Sequence, residues 1–212
     1  SYDQWYVWYN AHRPADLRKP GWPQAPKLIE EIYNFEDALI VGGALITMIN
    51  NADRVKAACL AQLVNVIGPI MTETGGAAWR QTIFHPFALA SRHAHGNVLR
   101  AKIDTPTFAT KSHGEAACVL ASVIDDPQRG AATVLVLNRH ASDEIELEVA
   151  LRGLAQRRIT TALELKHTDL KAINTKDREE VTPAPLAEAG IAGDTLRAKL
   201  KPLSWNAIVT SA

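Results

Sequence analysis

Tyr2-Asp3-Gln4-Trp5-Tyr6-Val7-Trp8-Tyr9 opens the chain, and the fold is read outward from it. Dense aromatic and β-branched content suits a β-strand. Next comes His12 to Pro26, with Pro14, Pro20, Pro23, Pro26 and Trp22; so many prolines predict a long loop. From Lys27 to Asn51, apolar residues recur at Leu28, Ile32, Phe35 and Leu39, with acidic residues between them. That spacing predicts a helix, apolar nearly all round in its second half and therefore buried. Gly42-Gly43 within it points to close packing against a neighbour.

Val55 to Val66 is an almost continuous apolar run, broken by Gln62 and Asn65. Strands buried on both faces of a parallel sheet read this way. A loop over Gly68 to Ala77 and a helix over about Ala78 to His93 complete the pattern: strand, loop, helix, strand, loop, helix. Two β/α units of a parallel sheet or barrel are expected over residues 1–96. A lone pair of such units leaves both sheet edges unpaired. The sequence also opens on Ser1 rather than Met. Further barrel is therefore expected, from a preceding segment or a partner chain.

From residue 97 the periodicity changes. Ala117–Ile124, Ala132–Leu137, Glu144–Leu151, Ile159–Lys166, Thr195–Leu200 and Trp205–Thr210 read as short strands. Several alternate apolar and polar residues, as in Ile145-Glu146-Leu147-Glu148-Val149. Turn signals separate them, which predicts an antiparallel β-sandwich over 97–212. Asn174 to Gly193, with Pro183 and Pro185, reads as an exposed excursion, and Trp205 as core. The expected class is α/β plus all-β.

The 212 residues carry 23 basic and 23 acidic side chains. That balance gives no long-range pull toward nucleic acid or anionic lipid. The longest apolar stretch, Ala38 to Ile49, falls short of the ~20 residues a membrane-spanning helix needs. Cys59 and Cys118 both sit in apolar surroundings. They read as buried free thiols, which favours a reducing, cytoplasmic compartment. His85, His93 and His95 lack the second ligand pair that a metal site would require; a surface or helix-end role is expected. Glu73, Asp125-Asp126 and Glu179-Glu180 read as solvated carboxylates, and no cofactor is expected.

The opening segment resembles the nucleophile strand of the α-L-arabinofuranosidases of glycoside hydrolase family 51. That strand usually reads Asp-Glu-Trp-Asn-Val-Trp-Tyr, against Asp3-Gln4-Trp5-Tyr6-Val7-Trp8-Tyr9 here. Tyr33-Asn34-Phe35-Glu36-Asp37-Ala38-Leu39 is similar to the helix that follows. Ala52-Asp53-Arg54-Val55-Lys56 and Ala61-Gln62-Leu63-Val64-Asn65-Val66-Ile67 resemble the eighth strand. Pro69-Ile70-Met71-Thr72 and Trp79-Arg80-Gln81-Thr82-Ile83 resemble the loop and last helix, and Leu203-Ser204-Trp205-Asn206 the closing strand of the sandwich.

The resemblance implies the last two β/α units of a (β/α)8 TIM barrel over 1–96, followed by a jelly-roll-like sandwich over 97–212. It implies retaining, exo-acting removal of terminal arabinofuranosyl groups from arabinan and arabinoxylan oligosaccharides, by a protein that oligomerises. Retention requires a nucleophilic carboxylate and an acid/base carboxyl about 5 Å apart. The first belongs on strand seven and the second on strand four, which precedes residue 1. Gln62 matches the strand-eight glutamine that contacts arabinose, and Trp8 the aromatic bordering the sugar. Sugar hydroxyls suit an amide, and the apolar face of the ring suits an indole.

Two positions depart from the family pattern. Gln4 stands where the nucleophilic Glu belongs, and an amide is a far weaker nucleophile than a carboxylate. Three readings stay open: a substitution that traps substrate, a divergent or inactive homologue, or a nucleophile elsewhere. Asp3 is no easy replacement, since adjacent strand residues face opposite ways. Tyr6, where the family usually has Asn, is the second departure and favours divergence.

Overall fold

A computed structural model describes residues 1–9, 30–154 and 157–212. The loop expected over His12 to Pro26 lies outside them. In chain order the elements are β1 (Tyr2–Trp5), α1 (Phe35–Asn50), β2 (Ala58–Leu60), β3 (Ile70–Thr72), β4 (Ala78–Arg80), α2 (Phe84–His93) and β5 (Asn97–Leu99). Then follow β6 (Thr107–Thr110), β7 (Gly114–Ala117), β8 (Val119–Asp126), β9 (Ala131–Asn138), β10 (Ile145–Ala150) and β11 (Arg158–Leu165). The last four are β12 (Ala184–Pro185), β13 (Ala189–Ala192), β14 (Thr195–Leu200) and β15 (Ser204–Ser211). The chain is thus mostly β, with two helices among the described residues.

The centre is a six-stranded sheet in the order β12-β11-β15-β9-β8-β5. Its inner strands are buried on both faces, and alternate residues feed two separate cores. On β8 and β9, Val119, Ala121, Val123, Val134 and Val136 face one way, into a core completed by Leu196, Ala198 and Leu200 of β14. Leu120, Ile124, Leu135 and Leu137 face the other way, where Phe35, Ala38, Leu39 and Ile46 of α1 and Ala90 of α2 cover them. The middle layer of a helix–sheet–sheet stack has no wet face. That is why Ala132–Leu137 is apolar but for Thr133, whose hydroxyl donates to the His93 carbonyl, while β10 alternates. β10, β14 and β13 form the outer three-stranded sheet, with outward Glu148 paired to Arg197 at 2.7 Å.

The β15 indole anchors the stack. Trp205 is fully buried, and α1 approaches it so closely that a Cβ on Gly42 would lie 2.4 Å from its Cδ1. Gly96 makes the connection from α2 to β5: its φ is +110°, and a Cβ there would sit 2.2 Å from the Asp125 carbonyl oxygen. Only glycine suits both demands.

The first half departs from the expected boundaries. α1 begins at Phe35 rather than near Lys27 because Asn34 caps it. The Asn34 side chain accepts from the Asp37 amide, and the Asp37 carboxylate accepts from the Asn34 amide. That reciprocal box sets the start more strongly than apolar spacing does. The Val55–Val66 run keeps only three residues as strand, and at its far end Asn65 and Val66 take positive φ (61° and 57°), outside strand geometry. The Gly68–Ala77 loop contains β3, paired antiparallel to β4. α2 therefore starts at Phe84, not Ala78.

Three further expectations are corrected. Cys59 is exposed, whereas Cys118 is buried, and both are free thiols. The segment Asn174 to Gly193 is no exposed excursion. Asn174, Val181 and Leu186 are buried, and its strands β12 and β13 extend the two sheets. The Asn174 amide binds the Val181 carbonyl at 2.9 Å and accepts from the Glu180 and Val181 amides. Asp126 is buried, accepting from the Gln128 and Arg129 amides at 3.1 Å, and Asp125 pairs with Arg157 at 3.3 Å.

His85, the second residue of α2, lies at a helix end as expected but is buried rather than at the surface. Burial, with the neighbouring Arg80 cation, pushes its pKa down from 6.5 to about 4, against a smaller upward pull from Glu179. Between those pH values the unfolded chain takes up a proton that the folded chain refuses. Stability should therefore fall as pH drops from 6.5 toward 4, by up to about 3 kcal/mol from this group. Urea midpoints at pH 7 and pH 4.5 should show a smaller acid loss in His85→Gln; an identical loss in both proteins would refute the assignment.

Candidate active site

β1 and β2 pair in parallel, with Tyr2 opposite Ala58 and Trp5 opposite Leu60. Parallel pairing brings the ends of both strands to one rim. Trp5, Val7 and Leu60 pack toward α1, against the buried Tyr33, Val41 and Ile83. Gln4, Tyr6 and Trp8 are not part of that cluster. The Tyr6 and Trp8 rings meet each other, centroids 5.4 Å apart and planes tilted by 33°. Gln4 is exposed and Trp8 is 44% exposed.

Gln62 lies two residues beyond β2 on the same rim, after a cis Ala61–Gln62 peptide. Its amide nitrogen donates to the Val64 carbonyl at 2.9 Å and the Asn65 carbonyl at 3.3 Å. Asn65 in turn is clamped to β3: its amide nitrogen donates to Thr72 Oγ1 at 2.8 Å, and its side-chain oxygen accepts from the Thr72 amide at 2.7 Å. Val66, a β-branched residue in the left-handed region, is strained, and such positions concentrate at functional sites. Gln4, Trp8 and Gln62 thus share one rim, yet no hydrogen bond joins them among the described residues. The Gln62 side chain is engaged with its own loop.

Two buried residues brace the segments around this rim. Gln81 is buried and spans three segments. Its oxygen accepts from the Tyr33 amide at 2.9 Å; its nitrogen donates to the Glu31 carbonyl at 3.2 Å and the Gly68 carbonyl at 2.8 Å. Asp37 is fully buried and accepts from the Tyr9 hydroxyl. Burial raises the Asp37 pKa, against the lowering effect of the Tyr9 and Asn34 hydrogen bonds. Asp37 lies three residues past Asn34, a spacing that flags a capping box. Nothing in the spacing of Gln81 betrays its role.

A cavity of about 870 Å³ lies beside the rim, bounded by Glu31, Asn65, Thr72, Trp79 and the 173–177 loop. Gln4, Trp8 and Gln62 do not line it. Glu73, on its wall, is solvent-exposed as expected, and it pairs with the exposed Lys176 at 2.9 Å. Among the described residues no group of three or more His, Cys, Asp or Glu could hold a metal ion. No helix there is long and apolar enough to cross a membrane.

A mostly β chain that opens on a parallel strand pair has the make-up of the C-terminal part of a family 51 protein. The chain belongs to the α-L-arabinofuranosidase C-terminal domain family, which it matches over residues 3–204. It is 43% identical over 208 residues to "Intracellular exo-alpha-(1->5)-L-arabinofuranosidase 1" of Bacillus subtilis. It is 41% identical over 215 residues to "Exo-alpha-(1->6)-L-arabinofuranosidase" of Bifidobacterium longum. Each match covers 98% of this chain but only 41% of the relative. The solved structure of a family 51 α-L-arabinofuranosidase from Bifidobacterium longum superposes with a TM-score of 0.90 at 38% identity, covering all of this chain and 41% of that one. The chain therefore spans about two fifths of the length of these relatives.

Proposed function

We propose that this chain supplies strands seven and eight of a (β/α)8 barrel, together with the sandwich, to a retaining, exo-acting α-L-arabinofuranosidase-like protein. The boundary between the two falls near residue 96. The observation that carries the proposal is the parallel β1–β2 pair, with Gln4 exposed on β1 and Trp8 half-exposed just past its end. A two-stranded parallel sheet covered on one face only is the local structure expected of two neighbouring barrel strands. The remaining strands come from a preceding segment or a partner chain, and further copies then associate. The relatives' printed names support a cytoplasmic setting and an arabinose-containing oligosaccharide as ligand.

In a relative with Glu at position 4, the carboxylate attacks the anomeric carbon and forms an arabinosyl ester. The acid/base carboxyl protonates the departing oxygen, then activates the water that cleaves the ester. Gln4 presents a neutral amide, which neither attacks well nor stabilises positive charge developing on the sugar ring. The protein is catalytically impaired as written. Trp8 offers a stacking wall for the sugar, and Gln62 an amide that turns to its hydroxyls when the site is complete.

The second reading, a non-catalytic sugar-binding or structural homologue, is favoured by Tyr6, which fills the position beside Gln4 and packs on Trp8. For either sugar-binding reading, the protein bearing the complete barrel should bind α-(1→5)-L-arabinotriose and leave it intact through a long incubation. Chromatography of the products decides the matter: steady arabinose release would overturn the impaired assignment.

A further inference from the structure

We propose that Tyr9 is a positioning residue for Trp8: its hydroxyl, donated to the buried Asp37 carboxylate, ties the rim of β1 to the first turn of α1 and holds the Trp8 indole in place for a sugar ring. The inference rests on the reading of Trp8 as a wall of the sugar site and adds what fixes that wall. β1 ends at Trp5, and residues 6–9 lie outside any strand ladder. Ladder bonds therefore do not hold Trp8, and at 44% exposure packing holds it only in part. A large side chain on such a segment has several rotamers open to it.

The restraint comes from both flanking residues. The Val7 carbonyl accepts from the Tyr33 hydroxyl at 3.1 Å. The Tyr9 amide donates to the Glu31 carboxylate at 3.2 Å, and the Tyr9 hydroxyl donates to Asp37 while accepting from the Asn34 side-chain amide at 3.4 Å. The anchors are themselves fixed. Tyr33 and Asp37 are fully buried, and Asp37 also closes the cap of α1, accepting from the Asn34 amide at 2.8 Å. An acceptor with a cap to keep cannot follow a moving Tyr9. Burial, then the Asp37 carboxylate, push the Tyr9 phenol up to about 12, so its proton stays in place to be donated at any working pH.

Removing the hydroxyl leaves the ring, the Tyr9 amide bond and the strand untouched, while a hydrogen bond to a charged acceptor is lost. The test is a double-mutant cycle on the protein bearing the complete barrel, with Gln4 retained so that binding is read without turnover. Affinity for α-(1→5)-L-arabinotriose is measured by titration calorimetry. Tyr9→Phe should weaken it about tenfold, and Trp8→Ala at least as much. The double variant should bind no more weakly than Trp8→Ala alone, because Tyr9 acts only through Trp8. A general structural defect would not vanish in the Trp8→Ala background. Asp37→Asn, which keeps an acceptor for the cap, should show the same non-additivity, and it serves if Tyr9→Phe folds poorly. Additive losses, or a Tyr9→Phe protein that binds like its parent while Trp8→Ala is impaired, would overturn the inference and leave the sugar-site reading standing. If Trp8→Ala binds like its parent, or the parent does not bind, the sugar-site reading fails and takes the inference with it.

Discussion

Gln4→Glu, introduced into the protein bearing the complete barrel, should raise hydrolysis of an aryl α-L-arabinofuranoside by about a thousandfold or more. Nothing else in the rim needs to change. Position 4 lies on β1, next to a parallel strand, and is exposed. A carboxylate there meets no buried apolar wall among the described residues, so it is ionised and available at neutral pH. On the proposed reading the gain is large, because the missing group is then the one that forms the covalent bond, and no neighbour substitutes for it. Asp3 lies on the opposite side of the pleat, and Cys59, though exposed, is one thiol without a base beside it in the described rim. Initial rates at saturating substrate give the measurement. Rates unchanged by Gln4→Glu would favour the non-catalytic homologue, with Tyr6 as the residue that closed the site.

The second large effect is on stability. Gly42→Val should cost at least about 3 kcal/mol, beyond the usual range for a glycine replaced on a helix. Gly in a helix interior is ordinarily a liability, and Ala there gains about 1 kcal/mol. Here the sign reverses, because the added carbon would lie 2.4 Å from Trp205 Cδ1 and 2.6 Å from its Nε1. Trp205 is fully buried and rooted in β15, paired on both sides by β11 and β9. It cannot yield without moving the central sheet. Thermal unfolding should show a midpoint lowered by roughly 6–12 °C. Gly43→Ala serves as control: its nearest neighbour, Leu137 Cδ2, is 3.1 Å away and belongs to a flexible side chain. A Gly42→Val protein as stable as its parent would mean that α1 does not seat on Trp205.

Six strands of the sandwich were readable to within two residues because their signals are local, whereas β5, β6, β7, β12 and β13 were not read as strands. Alternation marked β10, turn residues bounded β8 and β9, and Thr195–Leu200 matched β14 at both ends. The first half was harder. There the strand ends and helix starts depend on contacts distant in sequence: the Asn34 cap, the left-handed Asn65 and Val66, and the β3–β4 hairpin inside what reads as loop and helix. The apolar run before Val66 has the composition of a long buried strand. Only the backbone shows that it turns after Leu60. The motif singles out Gln4 and Trp8 as candidates, whereas nothing in the sequence points to the contacts of Gln81 and Tyr9. Their partners lie 48 and 28 positions away, and no periodicity connects them. Cys59 misleads for a related reason. Its apolar neighbours suggest burial, but it occupies the face of β2 that nothing described here covers.

The account stands on position 4 being the place from which a covalent bond to the sugar is made. The most direct test is the mass of the Gln4→Glu protein quenched during turnover of an activated arabinofuranoside, followed by peptide mapping. The predicted result is one added anhydropentose, located on the peptide containing residue 4 and absent from the Gln4 protein treated alike. An adduct on any other residue, or brisk turnover with none on that peptide, would contradict it.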